Sequence, residues 1–563
     1  MWLIDTQCKD IRLVQITAPE EYSYAILSHT WEDEEVSFQD FHDLDRRVEM
    51  KGFNKIAWTC RLASERGLRY AWVDTCCIDK TSSAELSEAI NSMFMWYMTS
   101  AVCFVYLSDH PPQLSFEDHF RRCRWLTRGW TLQELIAPRA AEFYDAAWNF
   151  RGRKPELNSF LAHVTNIDEA VLKDSQVLFE VPVGRRMSWA ARRQTTRIED
   201  LAYCLLGIFG VNMPMIYGEG AKAFMRLQEE IVKETNDLSL FAWSDIPPSL
   251  SGTESWMQQH YRGIFARSPR EFANCHHLRP RIKDAFLTKE FTVTNKGLRI
   301  ETALVSVPGV TEDFVWNLGV SERDDWPKDS VEGWVGVYLA KTANGYVRSK
   351  PYSLFRAEPQ MRRYRCDSAP IHIRKDLRAL ESEPIENRFR NAICVKLDRA
   401  PSRIAAVAPP QLWDQNRMLF LNQGQGINAY ILLRFNLVED SNSAFRLLVA
   451  CSTMINPPVC RIWAENHPLW DSVLEFVNTA KEVSDYVAAD YLRMQFLPLV
   501  TELSSVAACS IKHPHSNAMI NLQAILQPYS FQGQDCFALE LVLGQLLTGS
   551  TTSARGISEM NLY

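Results

Sequence analysis

The sequence predicts an α/β N-terminal domain built on a parallel sheet, then a helical segment, then a β-rich C-terminal region, and three observations carry this. From Tyr24 to Asp145 short apolar runs alternate with stretches of helical periodicity. Residues 151 to 245 keep the helical spacing, and from about 260 to the end β-branched runs separated by turn signals take over. At 563 residues the chain exceeds one ordinary core. Its hydrophobic share of 46% lets each region bury apolar surface.

In the first region YAILS (24–28) reads as a strand, followed by the polar HTWEDEE. Phe53, Ile56, Ala57, Cys60 and Ala63 form one stripe of a helix from about Gly52 to Arg66, and Gly67 is placed to stop it. YAWVD (70–74) is the second strand. TCCIDKT is a loop, and Ser82 with Glu85 three residues on predicts a capping box for a helix that buries Leu86, Ala89, Ile90, Met93 and Tyr97. AVCFVYLSD (101–109) is the third strand, RGWTLQEL (128–135) lies on the third helix, and AAEFYD (140–145) is the fourth strand. A doubly wound sheet binds ligands outside the carboxyl ends of its strands. The expected pocket therefore takes Ser28, His29 and Trp31, then Asp74, Thr75, Cys76 and Cys77, then Ser108 and Asp109.

TTRIEDLAYCLLGIF predicts a helix with Ile198, Leu201, Ala202, Leu205 and Ile208 inward, and GEGAKAFMRLQEEIVKE predicts another. SDIPPSLSGTES reads as a linker. Beyond it come FTVTNKGLRIETALV, a hairpin turning at Asn344-Gly345, NAYILLRFNL, AFRLLVACS and FALELVLG, all strand-like, with one helix near Asp471 to Met494. The expected domains are 1–150 (motif core 24–145), a helical segment 151–245, and a β-rich region 260–563 of sandwich-like character.

A formal net charge of -7, from 61 basic and 68 acidic residues, excludes an extended nucleic-acid surface. The N-terminus lacks a secretory pattern and no run of about 18 apolar residues occurs, which predicts a cytoplasmic protein with no membrane span. The 14 cysteines are scattered without a C-x-x-C pair, and the histidines form no zinc motif, so no metal site is expected. GEGAK is too short for a phosphate-binding loop.

YAILSHTWEDEEVSF, GLRYAWVDTCCIDKTSSAELSEAINSMFMWY, AVCFVYLSD and RGWTLQELIAPRAAEFYD, in this order, resemble the fungal heterokaryon incompatibility (HET) domain over about residues 24 to 150. TRIEDLAYCLLGIFGVNMPMIYGEGAKAFMRLQEEI resembles the helical segment that commonly follows it. The resemblance implies self/non-self recognition, a form of fungal innate immunity, with programmed cell death after incompatible fusion. The nucleotide-binding switch and repeats of many members are missing here. The element order, with W-x-x-x-E-L after the third strand, is more distantly similar to the flavodoxin-like Toll/interleukin-1 receptor fold. Members of that fold that cleave NAD use the glutamate of W-C-x-x-E-L. By that resemblance Glu134 is catalytic, Trp130 takes the tryptophan position, Thr131 replaces cysteine, and NAD is a substrate rather than a cofactor of an NAD nucleosidase (glycohydrolase).

Cleaving the nicotinamide–ribose bond asks little of the leaving group, and one carboxylate can stabilise the oxocarbenium-like carbon or attack it. Helical spacing puts Trp130 and Glu134 on one face, where an indole and a carboxylate could line a cleft. Ser28, His29, Trp31, Asp74 and Trp130 are the substrate-binding candidates: His29 as base or donor, Trp31 as a stacking surface, Asp74 for a ribose. Against this stand plainer readings, in which Glu134 pairs with Arg121, Arg122, Arg124 or Arg128 and Trp130 packs in the core. Cys76 with His29 and Asp74 would be an alternative, cysteine-hydrolase, arrangement. The competing function is a non-catalytic adaptor that self-associates and recruits protein partners.

Overall fold

The six residues Tyr24–His29 are all buried, which is what a central strand covered on both faces requires, and they form β3. In the computed structural model β3 pairs in parallel with β4 (Tyr70–Trp72) on one side and β5 (Val102–Tyr106) on the other, and β5 pairs in parallel with β6 (Ala141–Tyr144). Counted along the chain these four strands lie in the order 2-1-3-4, that of a doubly wound sheet whose switch point falls between β3 and β5. Antiparallel strands extend both edges to seven in all: β1 (Trp2–Asp5) and β2 (Arg12–Gln15) beside β4, and β7 (Phe150–Arg153) beside β6. These three fall outside the expected elements because four-residue edge strands carry too little pattern to read.

The structure describes residues 1–7, 10–245, 260–281, 290–307, 313–322, 333–358, 364–377, 381–397, 402–422, 426–436, 444–454, 456–482, 504–512 and 519–543. The chain divides into two units, one of residues 1–339 and 348–376, the other of 340–347 and 377–563.

Helix α1 (Phe38–His42) and α2 (Leu44–Glu49) lead into α3 (Phe53–Glu65), which packs on β3 and β4. Its buried stripe is Lys55, Ile56, Thr59, Cys60, Leu62 and Ala63. The stripe is turned from the expected one: Ala57 is exposed and Lys55 faces inward, because its ammonium has partners beneath the helix. Gly67, at φ +73°, ends the helix as its position predicts. Ser82 caps α4 (Ser83–Thr99), but the Glu85 carboxylate accepts the Asp79 N–H instead of closing a capping box. Tyr97 of α4 donates to the Leu27 carbonyl at 2.9 Å, fastening helix to sheet. Burying a ring such as Tyr97 contributes about 2 kcal/mol.

After β5 come α5 (Phe116–Phe120), a 3₁₀ turn at Arg124–Thr127 and the short α6 (Thr131–Ile136), every residue of which is buried. The helical stretch holds α7 (Lys154–Thr165), α8 (Glu169–Lys173), α9 (Val183–Ser188), α10 (Asp200–Tyr203), α11 (Leu206–Phe209) and α12 (Lys222–Glu234). TTRIEDLAYCLLGIF is thus two short helices rather than one, and Ile198, expected inside, is 53% exposed. The offset brings Gly207 against α4, where a Cβ would lie 2.1 Å from Phe94 Cβ.

Residues 261–373 contribute an 11-stranded, antiparallel-paired sheet that includes the hairpin Phe291–Thr294 with Gly297–Thr302 and the strands Val335–Thr342 and Gly345–Ser349 flanking Asn344-Gly345. In the second unit a six-stranded and a four-stranded sheet share one apolar core, in which Ile393, Leu522 and Leu539 meet Ile431, Leu433 and Val449. The helix expected near 471–494 runs Trp470–Glu482 and lies on the four-stranded sheet through Trp470 and Val473; residues 483–494, and most of the expected linker at 244–255, lie outside the described residues. Among the described residues no helix is long and apolar enough to cross a membrane, and no cluster of His, Cys, Asp and Glu is arranged to hold a metal.

Candidate active site

Ser28 and His29 end β3 at the switch point, and strand alternation sends them to opposite faces of the sheet. On one face, Ser28 Oγ donates a short hydrogen bond to Glu134 Oε2 and accepts the Trp125 indole N–H at 2.8 Å. Ser28 and Trp125 are fully buried and Glu134 is 6% exposed. Burial pushes the Glu134 carboxyl up to about 8, against the opposing pull of the Ser28 hydrogen bond and the Arg128 guanidinium. At neutral pH it is mostly a protonated acid.

On the other face, His29 Nε2 lies 3.0 Å from Asp74 Oδ1, and Asp74 Oδ2 accepts the Trp31 indole N–H at 2.8 Å. Lys55 Nζ lies 3.3 Å from His29 Nδ1, donates to the Thr30 carbonyl at 3.2 Å and pairs with Glu35. An ammonium can only donate, so it leaves Nδ1 as acceptor and puts the imidazole proton on Nε2, facing Asp74. Burial works against the Asp74 charge, yet the hydrogen bond from His29, with the nearby Lys80 and Arg128, holds its carboxyl well below the usual range. Trp31 is 40% exposed, with Lys80 Nζ 3.6 Å and Arg128 Cζ 5.5 Å from its ring centroid.

The arginine run does not take up Glu134. Arg124 pairs with Glu32 at 2.8 Å and Asp109 at 3.5 Å, Arg121 lies over the Phe160 ring, and among the described residues Glu134 makes no ion pair. Trp130 is half-buried and helps to lower the Asp200 pKa against the burial that raises it, and among the described residues no hydrogen bond joins it to Ser28 or Glu134. The indole beside the glutamate's hydrogen-bond partner is Trp125, five residues earlier, brought there by the 3₁₀ turn. Thr131, at the position where cysteine is common, donates to the carbonyls of Trp125 and Arg128 and so fastens that turn to α6. Arg193 donates to Thr131 Oγ1 and to the Arg128 carbonyl, each at 2.8 Å.

Cys76 and His29 do not form a thiolate–imidazole pair: His29 is engaged by Asp74 and Lys55, and burial pushes the Cys76 thiol well up. The backbone amides of GEGAK are occupied too, since the Glu199 carboxylate accepts the N–H groups of Gly218 at 2.8 Å and Gly220 at 3.0 Å. Trp125, Lys55, Lys80 and Arg128 complete the site; of these the sequence singled out only Arg128, as a pairing partner for Glu134. Among the other three only Lys55 left a trace there, as a lysine at helical spacing from Thr59 and Leu62 on the sheet-facing side.

The heterokaryon incompatibility protein (HET) family model matches residues 24–122, which takes in Ser28, His29, Trp31, Lys55, Asp74 and Lys80 and ends before Trp125 and Glu134. A domain of unknown function, DUF8212, matches residues 222–317. The chain is similar to the vegetative incompatibility protein HET-E-1 of Podospora anserina, with 47% identity over 226 residues, 38% of this chain. It covers only 16% of that relative's length. No solved structure matches the chain. On the family match and the 47% identity together, residues 24–122 of this chain carry a region that matches the heterokaryon incompatibility (HET) domain.

Proposed function

We propose that the chain is a cytoplasmic effector of self/non-self recognition that triggers programmed cell death by cleaving NAD, with Glu134 acting on the anomeric carbon of the nicotinamide ribose. The observation that carries this reading is the Ser28–Glu134 hydrogen bond at the carboxyl end of β3, beside the switch point of a doubly wound sheet. The Toll/interleukin-1 receptor likeness supports it by motif and by strand order. Ser28 donates to the carboxylate as it ionises and Trp125 fixes the hydroxyl, so the charged form has a prepared partner. A cationic nicotinamide riboside unit favours that same form, because an opposite charge nearby lowers a carboxyl pKa. In this reading His29, Asp74 and Trp31 contact the rest of the substrate. The test is NAD consumption by purified full-length chain, concentrated or forced to oligomerise, against Glu134→Gln. Consumption by the wild type alone is expected. If neither protein consumes NAD while both kill cells on overexpression, the enzymatic reading is lost.

The burial of Ser28, Trp125 and Glu134 favours a second reading. There the trio is a core hydrogen-bond network, and the domain is an adaptor that self-associates and recruits protein partners. Its mark is that Glu134→Gln, which keeps the shape and the Ser28 contact, retains cell killing.

A further inference from the structure

Two cations reach the exposed Trp31 from separate loops. Lys80 comes from the segment after β4 and Arg128 from the residues just before α6, and both lie over the one indole ring. Their neighbours are neutralised, Lys55 by Glu35 and Arg124 by Glu32 and Asp109. Lys80 and Arg128 have no carboxylate within 4.0 Å among the described residues, and Arg128 Nε is buried with no hydrogen-bond partner. Asp74 lies within electrostatic range of both, but its two oxygens are taken by His29 and Trp31. In a chain of net charge -7, two convergent cations with free donors mark a place for a bound anion.

The position restricts the anion. Trp31 follows β3 and Lys80 follows β4, outside the carboxyl ends of the strands, and Arg128 acts electrostatically on both Asp74 and Glu134. Arginine offers a planar fork of donors and lysine a point charge, a pair suited to two linked phosphates. Both cations lie over the Trp31 ring, so the indole orients them. We propose that Lys80 and Arg128, held by Trp31, bind the diphosphate of a dinucleotide substrate. The substrate assignment rests on the reading of Glu134 above; the diphosphate subsite does not.

Calorimetric titration of the full chain with ADP-ribose, inorganic pyrophosphate and nicotinamide riboside tests this. ADP-ribose and pyrophosphate are expected to bind the wild type, and pyrophosphate is expected to bind Glu134→Gln as tightly. Lys80→Ala and Arg128→Ala should each weaken ADP-ribose about tenfold. Lys80→Arg should restore most of the affinity, nicotinamide riboside should be indifferent to Lys80→Ala, and salt raised from about 50 to about 200 mM should weaken ADP-ribose. Lys80 is exposed, so its replacement leaves the fold intact. The subsite is overturned if the wild type does not bind ADP-ribose, or if Lys80→Ala binds it as tightly as the wild type. NAD consumption that survives such a result keeps the hydrolase reading, whereas ADP-ribose binding without NAD consumption refutes the hydrolase and leaves the subsite standing.

Discussion

Glu134 is a carboxyl with a hydroxyl donor and almost no water, and its protonation sets what it can do. With its folded pKa near 8, the ionised fraction grows about tenfold between pH 7 and 9, so kcat/KM for NAD is expected to rise by that factor across the interval. A stopped assay at several pH values checks it, and a flat profile would count against the carboxylate as the acting group. The stability consequence has a definite sign. An unfolded glutamate titrates at about 4.3, so between that value and about 8 the folded chain holds the extra proton. The stabilisation is complete below the unfolded value and is lost as pH rises through about 8. Glu134→Gln should therefore flatten the fall of Tm between pH 6 and 9, measured by thermal denaturation. Trp125→Phe keeps most of the ring packing but removes the N–H that fixes Ser28. It should cost about 1 kcal/mol and move the rising limb of the pH profile to higher pH.

At the scale of elements, α6 stays in place only because its neighbours approach closely. Gly129 donates to the Gln194 carbonyl at 2.8 Å, and a Cβ there would fall 2.5 Å from Thr195 Cγ2. Gly129→Ala is expected to destabilise the protein by about 1–3 kcal/mol and to shift Trp125 and Glu134 together. A drop in Tm accompanied by lost NAD consumption is the result to look for. RGWTLQEL therefore specifies both a helix start and a close contact with QTT at 194–196, and only the first can be read from the sequence. The same limit explains TTRIEDLAYCLLGIF, where apolar spacing identified helix but not the break that lets Gly207 meet Phe94. For α3, periodicity placed the helix correctly yet turned its face, since a lysine with buried partners looks like a surface lysine in one dimension.

Across the first unit, distant segments are joined by buried polar groups. Arg348 is fully buried, 107 residues from Phe241, whose carbonyl it binds at 2.9 Å; it also donates to the Trp243 carbonyl and lies 3.6 Å from the Trp243 ring centroid. Burial lowers its pKa to about 9, so the guanidinium remains charged at neutral pH. Arg348→Met leaves both carbonyls without that donor and should cost about 3 kcal/mol or more, seen as a lower urea midpoint for the full chain.

Alternation and periodicity, local properties of the chain, determined the α/β character of residues 24–145, the helices after it and the strands beyond 260. The motif string named the HET domain and directed attention to Ser28, His29, Asp74 and Glu134. Tertiary structure alone decided which of these groups share hydrogen bonds. Ser28 and Glu134 stand 106 residues apart, and His29 and Asp74 45 apart. It also decided that Trp125 rather than Trp130 joins them, and that Lys80 and Arg128 meet at Trp31. The physical reason is that local pattern fixes which face of an element is apolar, whereas a site's geometry and charge depend on where separate loops converge once the sheet has ordered its strands.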